Sequence, residues 1–309
     1  MRVFMTGASG WIGSVVVPEL LGEGHEVVGL ARSDASAAAL TAAGVKVLRG
    51  TLDDLGVLRD AAADADGVVH LAFKHDLAFT GDFQSAAEAD RRVAGAIGEA
   101  LTGSDRPFLI AAGTAGLAPG RVVTERDGHD GDPAAAAEGP ASRSATAELV
   151  LSLAERGVRS SVVRFAPTVH GEGDPGFMTH VVRVARDRGV SGHVGDGAQR
   201  WPAVHRFDAA RLVRLALERA PAGSTVHAVA EEGVPLRSVA EVVGRHLGVP
   251  VASVAQEDAG AHFGWLAPLL SADIPASNAL TRDLLDWRPT GPGLLDDLEQ
   301  GHYFHAPPA

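Results

Sequence analysis

Cysteine is absent from all 309 residues, and tyrosine occurs once, at Tyr303. Lysine is almost as scarce, at Lys46 and Lys74 only. Without thiols there are no disulfides, thiolate nucleophiles, iron–sulfur clusters or Cys-ligated zinc. Histidine is plentiful, with 13 residues, but no His-x-x-x-His or His-Glu-x-x-His pair occurs, and no metal site is expected. No apolar run approaches the ~20 residues of a membrane span. The opening Met1-Arg2-Val3-Phe4-Met5 meets a glycine-rich turn too early for a secretory signal, so a cytoplasmic protein is expected. Positive charge is also in deficit, with 27 Lys+Arg against 39 Asp+Glu and a formal net charge of −12. Such a surface repels phosphate backbones and anionic lipid, leaving a small molecule rather than nucleic acid or membrane as the expected partner.

What is present is an alternation. Short β-rich runs at about 2–6, 26–30, 45–49, 67–72, 107–112 and 159–166 are separated by Ala-rich amphipathic stretches. Helices fit Gly13–Gly22, Asp34–Ala43, Phe83–Leu101 and Ser142–Arg156, several of them closed by glycine. That rhythm predicts βαβ units and a doubly wound parallel sheet. Gly116–Pro140, rich in Gly, Pro, Asp and Ala, reads as a long loop, either a surface insert or a lid over the strand C-termini. After residue 170 the rhythm changes. Helices near Phe177–Arg188, Asp208–Glu218 and Leu236–Leu247, a turn-rich Ser191–Gly197, and strands near Ala203–Phe207 and Thr225–Val229 suggest a smaller lobe. The expected division is 1–170 for a dinucleotide-binding domain and 171–309 for a substrate lobe, with segments around 203–230 returning to the sheet.

Thr6-Gly7-Ala8-Ser9-Gly10-Trp11-Ile12-Gly13 follows an apolar strand and opens a helix. The glycines permit a tight turn and let backbone N–H groups of Gly7, Ser9, Gly10, Trp11, Ile12 and Gly13 approach a pyrophosphate at the positive helix end. Together with Val68-Val69-His70-Leu71-Ala72 and Val163-Arg164-Phe165-Ala166-Pro167-Thr168-Val169-His170-Gly171, this spacing resembles the extended and atypical branches of the short-chain dehydrogenase/reductase superfamily. The resemblance spans nearly the whole chain. It implies a Rossmann-type sheet of order 3-2-1-4-5-6-7 with a small C-terminal substrate lobe, and a nicotinamide cofactor contacted also by Leu71, Ala72, Phe73 and Pro167.

The second strand ends Ala31-Arg32-Ser33. Arg32 offers a cation and Ser33 a hydroxyl where a 2′-phosphate would lie, which favours NADP(H) over NAD(H); the alternative has Arg32 solvated and Asp34 turned toward the ribose. Thr51 and Leu52, after the third strand, are expected at the adenine edge.

The resemblance also implies a catalytic Tyr-x-x-x-Lys pair, which this chain cannot supply. Aligned on Glu148, those positions fall on Pro140 and Ser144. Other polar groups near the strand C-termini are therefore the candidates. His75 titrates near neutrality, with Asp76 to orient it and Lys74 as a second donor. Thr114 is the hydroxyl after the fifth strand, Arg143 lies on the helix that would carry the missing pair, and His170 follows Pro167. His205 and Asp208 read as architectural. The leading expectation is an NADP(H)-binding oxidoreductase for a small or medium carbonyl, alcohol or activated alkene. An epimerase, dehydratase or non-redox isomerase, and a non-catalytic dinucleotide sensor, stand as alternatives. The Ala-rich helices Phe83–Leu101 and Ser142–Arg156 suggest a homodimer.

Overall fold

The computed structural model describes residues 1–79, 81–118, 120–128 and 142–305. Most of the loop expected at Gly116–Pro140, and Pro140 itself, lies outside the described residues. The first half runs β1 (Arg2–Thr6), α1 (Gly13–Gly22), β2 (Glu26–Ala31), α2 (Asp34–Ala42), β3 (Lys46–Arg49), α3 (Leu55–Ala63), β4 (Gly67–His70), α4 (His75–Phe79), α5 (Phe83–Leu101), β5 (Pro107–Gly113), α6 (Ser142–Ser152) and β6 (Arg159–Phe165). The second half continues with β7 (Thr168–His170), α7 (Phe177–Arg188), β8 (Ser191–Val194), β9 (Arg200–His205), α8 (Arg206–Arg219), β10 (Ser224–Ala228), β11 (Glu231–Pro235), α9 (Leu236–Leu247) and β12 (Val251–Val254), followed by short helices.

Seven parallel strands form the central sheet in the order β3-β2-β1-β4-β5-β6-β10, which is the expected 3-2-1-4-5-6-7 with β10 as seventh strand. β1 explains why the sheet is covered on both sides. Its Val3, Phe4 and Met5 are all fully buried, as a continuous apolar run in a central parallel strand requires. Side chains alternate across the strand, so Val3 and Met5 join Val16, Leu20, Leu212 and Val213 in one core, while Phe4 joins Leu58, Val93, Ile97, Phe108 and Val150 in the other.

A third core of Met178, Val182, Trp201, Val239, Val243, Leu266 and Leu298 holds the C-terminal lobe. Around it lie a three-stranded sheet, β11-β9-β7, and a parallel pair, β12-β8. Of the segment expected to return to the central sheet, β10 and α8 do so, whereas β9 pairs with β7 and β11. Ser191–Gly197, read from sequence as turn-rich, contains β8.

On α5 there is no surplus apolar surface of the kind expected of a homodimer contact. Its Ala86, Ala89, Val93, Ala96 and Ile97 are buried within the chain, and its outward positions are Gln84, Glu88, Arg91, Arg92 and Glu99. Among the described residues no helix is long and apolar enough to cross a membrane.

Candidate active site

The turn between β1 and α1 is built so closely that side chains would fill it. Gly7 has φ +71°, and a Cβ there would stand 2.7 Å from the Ala72 nitrogen. A Cβ on Gly13 would fall onto the Gly7 carbonyl oxygen and within 2.8 Å of Ala8. Ser9 and Gly10 are exposed at its crest, and Ile12, the N-cap of α1, makes no side-chain capping bond. The Gly10 and Ser14 N–H groups are taken by the Gly7 and Gly10 carbonyls at 3.0 and 2.8 Å, which tightens the turn, and its open crest at the positive end of α1 fits a pyrophosphate. Trp11 does not cover it. Its Nε1 donates to the Val169 carbonyl at 2.8 Å, and the Arg206 guanidinium lies 3.9 Å over its ring, which fastens the turn to the segment after β6 that carries half-buried Pro167.

On the β2–β3 side, Ala31 is buried and Arg32 is exposed, its guanidinium 3.5 Å from Asp76. The Ser33 hydroxyl caps α2, accepting from the Ser36 N–H at 3.1 Å and donating to the Ser36 hydroxyl. Asp34 pairs with Arg49 at 2.8 Å, and Arg49 also donates to the Ser33 carbonyl at 2.6 Å. Arg49 is therefore a second cation at this corner, and exposed Asp34 is its partner. Thr51 gives both its N–H and its hydroxyl to Asp54, and Leu52 packs half-buried against the core. Lys74 bonds both Asp53 oxygens at 2.7 Å, so it braces the ends of β3 and β4 rather than standing beside His75.

On the β4–β5 side a polar chain runs through the interior. The Thr6 hydroxyl meets His70 Nδ1 at 2.6 Å, His70 Nε2 meets Asp90 Oδ1 at 3.1 Å, and Asp90 Oδ2 lies 4.0 Å from Arg143 Nε. Thr6, His70 and Asp90 are buried. Thr6 also receives the N–H groups of Leu71, on its carbonyl, and Ala72, on its hydroxyl, which fixes how β4 leaves the sheet. Arg143 donates to the Ala111 carbonyl at 2.8 Å and lies 4.3 Å from the Phe73 ring centroid. His75 approaches the same ring edge-on at 5.2 Å. Its imidazole is open to solvent, yet protein crowds around it; this desolvation and the Arg143 charge push its pKa below the ordinary 6.5. His75, Phe73 and Arg143 are thus gathered where a parallel sheet places its ligands, beyond the strand C-termini.

Thr6, His70 and Asp90 escaped the sequence reading, although Asp90 left a signal: an acid within the apolar stripe Ala86, Val93, Ile97 of α5. Two further candidates are turned to other partners. Thr114 is buried, with its hydroxyl directed to the Phe165 carbonyl at 3.4 Å. His170 is fully buried in the lobe, bonded through Nδ1 to Asp297 at 2.9 Å, so it does not face a cleft. Tyr303 is in the same region, donating to Asp174 at 3.1 Å and accepting from the Gly171 N–H at 3.2 Å. Asp208 is architectural, accepting from the Thr290 and Gly291 N–H groups.

The model of the NAD dependent epimerase/dehydratase family matches residues 3–229. Uncharacterized proteins of Schizosaccharomyces pombe and Saccharomyces cerevisiae are 46% and 43% identical to the chain, each over 98% of its length and over 100% and 99% of their own. A 4-hydroxy-2-methyl-3-oxo-4-farnesyl-3,4-dihydroquinoline-1-oxide ketoreductase of Stigmatella aurantiaca is 29% identical over 89% of this chain and 84% of its own. A double mutant of the dTDP-glucose 4,6-dehydratase DesIV of Streptomyces venezuelae, solved with NAD bound, superimposes with a TM-score of 0.73 at 21% identity, covering 98% of this chain and 96% of that one. With the glycine cradle, the strand order and the match over β1 to β10 in agreement, the chain belongs to the NAD dependent epimerase/dehydratase family.

Proposed function

We propose that the protein is an NADP(H)-dependent oxidoreductase acting on a small or medium carbonyl, alcohol or activated alkene, with His75 handling the proton that a tyrosine handles elsewhere in the superfamily. The observation that carries this reading is the grouping of His75, Phe73 and Arg143 at the C-terminal ends of β4 and β5. A nicotinamide dinucleotide bound across the glycine turn supplies the hydride acceptor or donor at that end. His75 then accepts the hydroxyl proton of an alcohol, or gives a proton to the oxygen of a carbonyl. Arg143 on α6 brings a positive charge to the region where the superfamily's lysine would stand. At the other end, Arg32 and Arg49 suit a 2′-phosphate, and the carboxylates beside them, Asp76 and Asp34, are their ion-pair partners. This favours NADP(H) even though the dehydratase of similar fold holds NAD. The relative named as a ketoreductase lends support to carbonyl chemistry.

The test begins with calorimetry of NADPH and NADH, where at least tenfold tighter NADPH binding, lost in Arg32→Ala, is expected. A carbonyl and alcohol panel follows. His75→Ala should lower turnover by roughly 10²–10⁴-fold while cofactor affinity is retained. The pH dependence has a definite sign. Because the His75 pKa lies below 6.5, alcohol oxidation rises with pH, with its midpoint below 6.5, and carbonyl reduction falls. Turnover without net cofactor consumption would instead favour an epimerase or dehydratase, and tight binding without any turnover would favour a sensor.

A further inference from the structure

Arg143 has more donors than the protein uses. Its guanidinium carries five N–H groups, and the bond to the Ala111 carbonyl is the one it makes among the described residues. Its Nε is buried without an acceptor, because Asp90 Oδ2 stops at 4.0 Å and Asp90 Oδ1 is taken by His70. One face of the group is covered by Phe73, and the side chain keeps 23% exposure, by which a ligand can reach it. Phe73 also carries His75 against its rim, so the unused donors and the titratable imidazole share one neighbour.

A partly satisfied, desolvated guanidinium is costly unless something completes it. Ribose hydroxyls would accept hydrogen bonds but bring no charge. A carboxylate supplies both, with two oxygens that match the guanidinium fork. Resting on the oxidoreductase reading above, we propose that Arg143 receives a substrate carboxylate, so that the substrate class is a carbonyl compound or alcohol bearing a carboxylate close to its reacting carbon. The burial that works against the Arg143 charge, offset by Asp90 alone, agrees with an anion completing the site.

The experiment uses oxamate and its neutral counterpart oxamide, titrated by calorimetry into the protein saturated with NADPH, so no turnover is needed. Wild type should bind oxamate and not oxamide. Arg143→Gln should weaken oxamate by about 10- to 100-fold and leave NADPH affinity within about twofold, which also shows that the variant is folded. Arg143→Lys, which keeps the charge and loses the fork, should fall between the two. Equal binding of oxamate to wild type and both variants, or no oxamate binding to a wild type that binds NADPH, would overturn the carboxylate assignment while leaving the oxidoreductase reading intact. Failure of NADPH itself to bind would remove that reading, and this one with it.

Discussion

Replacing Asp90 by Asn takes one negative charge out of the Thr6–His70–Asp90–Arg143 chain and leaves its shape almost unchanged. Asp90 is 4% exposed and His70 2%, so water cannot compensate. The bond of 3.1 Å from His70 loses its ionised acceptor, which costs about 1 kcal/mol. The larger loss is at Arg143. Two unit charges 4.0 Å apart attract by about 4 kcal/mol at an effective dielectric of 20, and removing one member of a buried pair typically costs about 3–5 kcal/mol. The Arg143 side chain retains 23% exposure, however, and can relax toward solvent. Net destabilisation should therefore be about 2–3 kcal/mol, or about 3–5 °C in Tm for a chain of this size. Thermal and urea unfolding measure it. A double variant, Asp90→Asn with Arg143→Gln, removes both charges and should be more stable than the sum of the single losses by at least about 1 kcal/mol. An Asp90→Asn protein as stable as wild type, or strictly additive single losses, would show that the two groups are not coupled.

Three further outcomes are expected. Gly13→Ala should raise the NADPH dissociation constant by about 100-fold or more, equivalent to nearly 3 kcal/mol, because its Cβ would collide with the backbone of Gly7 and Ala8; calorimetry reads the change, and ordinary binding would disprove the cradle. Tyr303→Phe should lower stability by about 1–3 kcal/mol, since Asp174 and the Gly171 N–H both lose a buried partner, while turnover survives; loss of turnover at wild-type stability would place the tyrosine in the reaction. Burial holds the His227 pKa down to about 4, with Glu125 opposing the shift. The unfolded chain, with an ordinary histidine pKa near 6.5, then takes up the proton first. His227 thus adds stability that is complete above pH 6.5 and declines toward pH 4, by about 3 kcal/mol in all. His227→Gln should flatten urea stability across that window, and an unchanged slope would refute the assignment.

The alternating strands and helices of the central sheet were legible because local signals agreed with one another, whereas the strand order came from the resemblance. β1 is apolar on both faces, α1 opens with glycines, and the intervening helices close where glycine follows them. α3 (Leu55–Ala63) was missed because its buried side reduces to Leu58 and Ala62, too narrow a stripe to register as periodicity. The lobe resisted for a different reason. β7, β8 and β12 are three or four residues long, and their pairing depends on distant partners: β7 lies on β9, and β8 on β12.

The site divides along the same line. The turn from Gly7 to Gly13 is a local structure, and its backbone demands stand in seven consecutive residues. The arrangement around Arg143 is not local. His70, Phe73, Asp90, Ala111 and Arg143 come from β4, the segment after it, α5, β5 and α6, and only the parallel sheet brings them within reach of one another. Sequence could nominate His75 and Arg143 by chemistry, yet it also nominated Lys74, which differs from His75 by one position and is drawn instead to Asp53. What separates these neighbours is the direction in which the chain leaves β4, fixed by the bonds of Leu71 and Ala72 to Thr6. A hydroxyl on β1 therefore helps decide which side chain after β4 faces Arg143. The sequence feature that could have pointed there is Asp90, since a carboxylate on the buried stripe of an amphipathic helix needs a polar partner inside, and at that depth the partners on offer are His70 and Arg143.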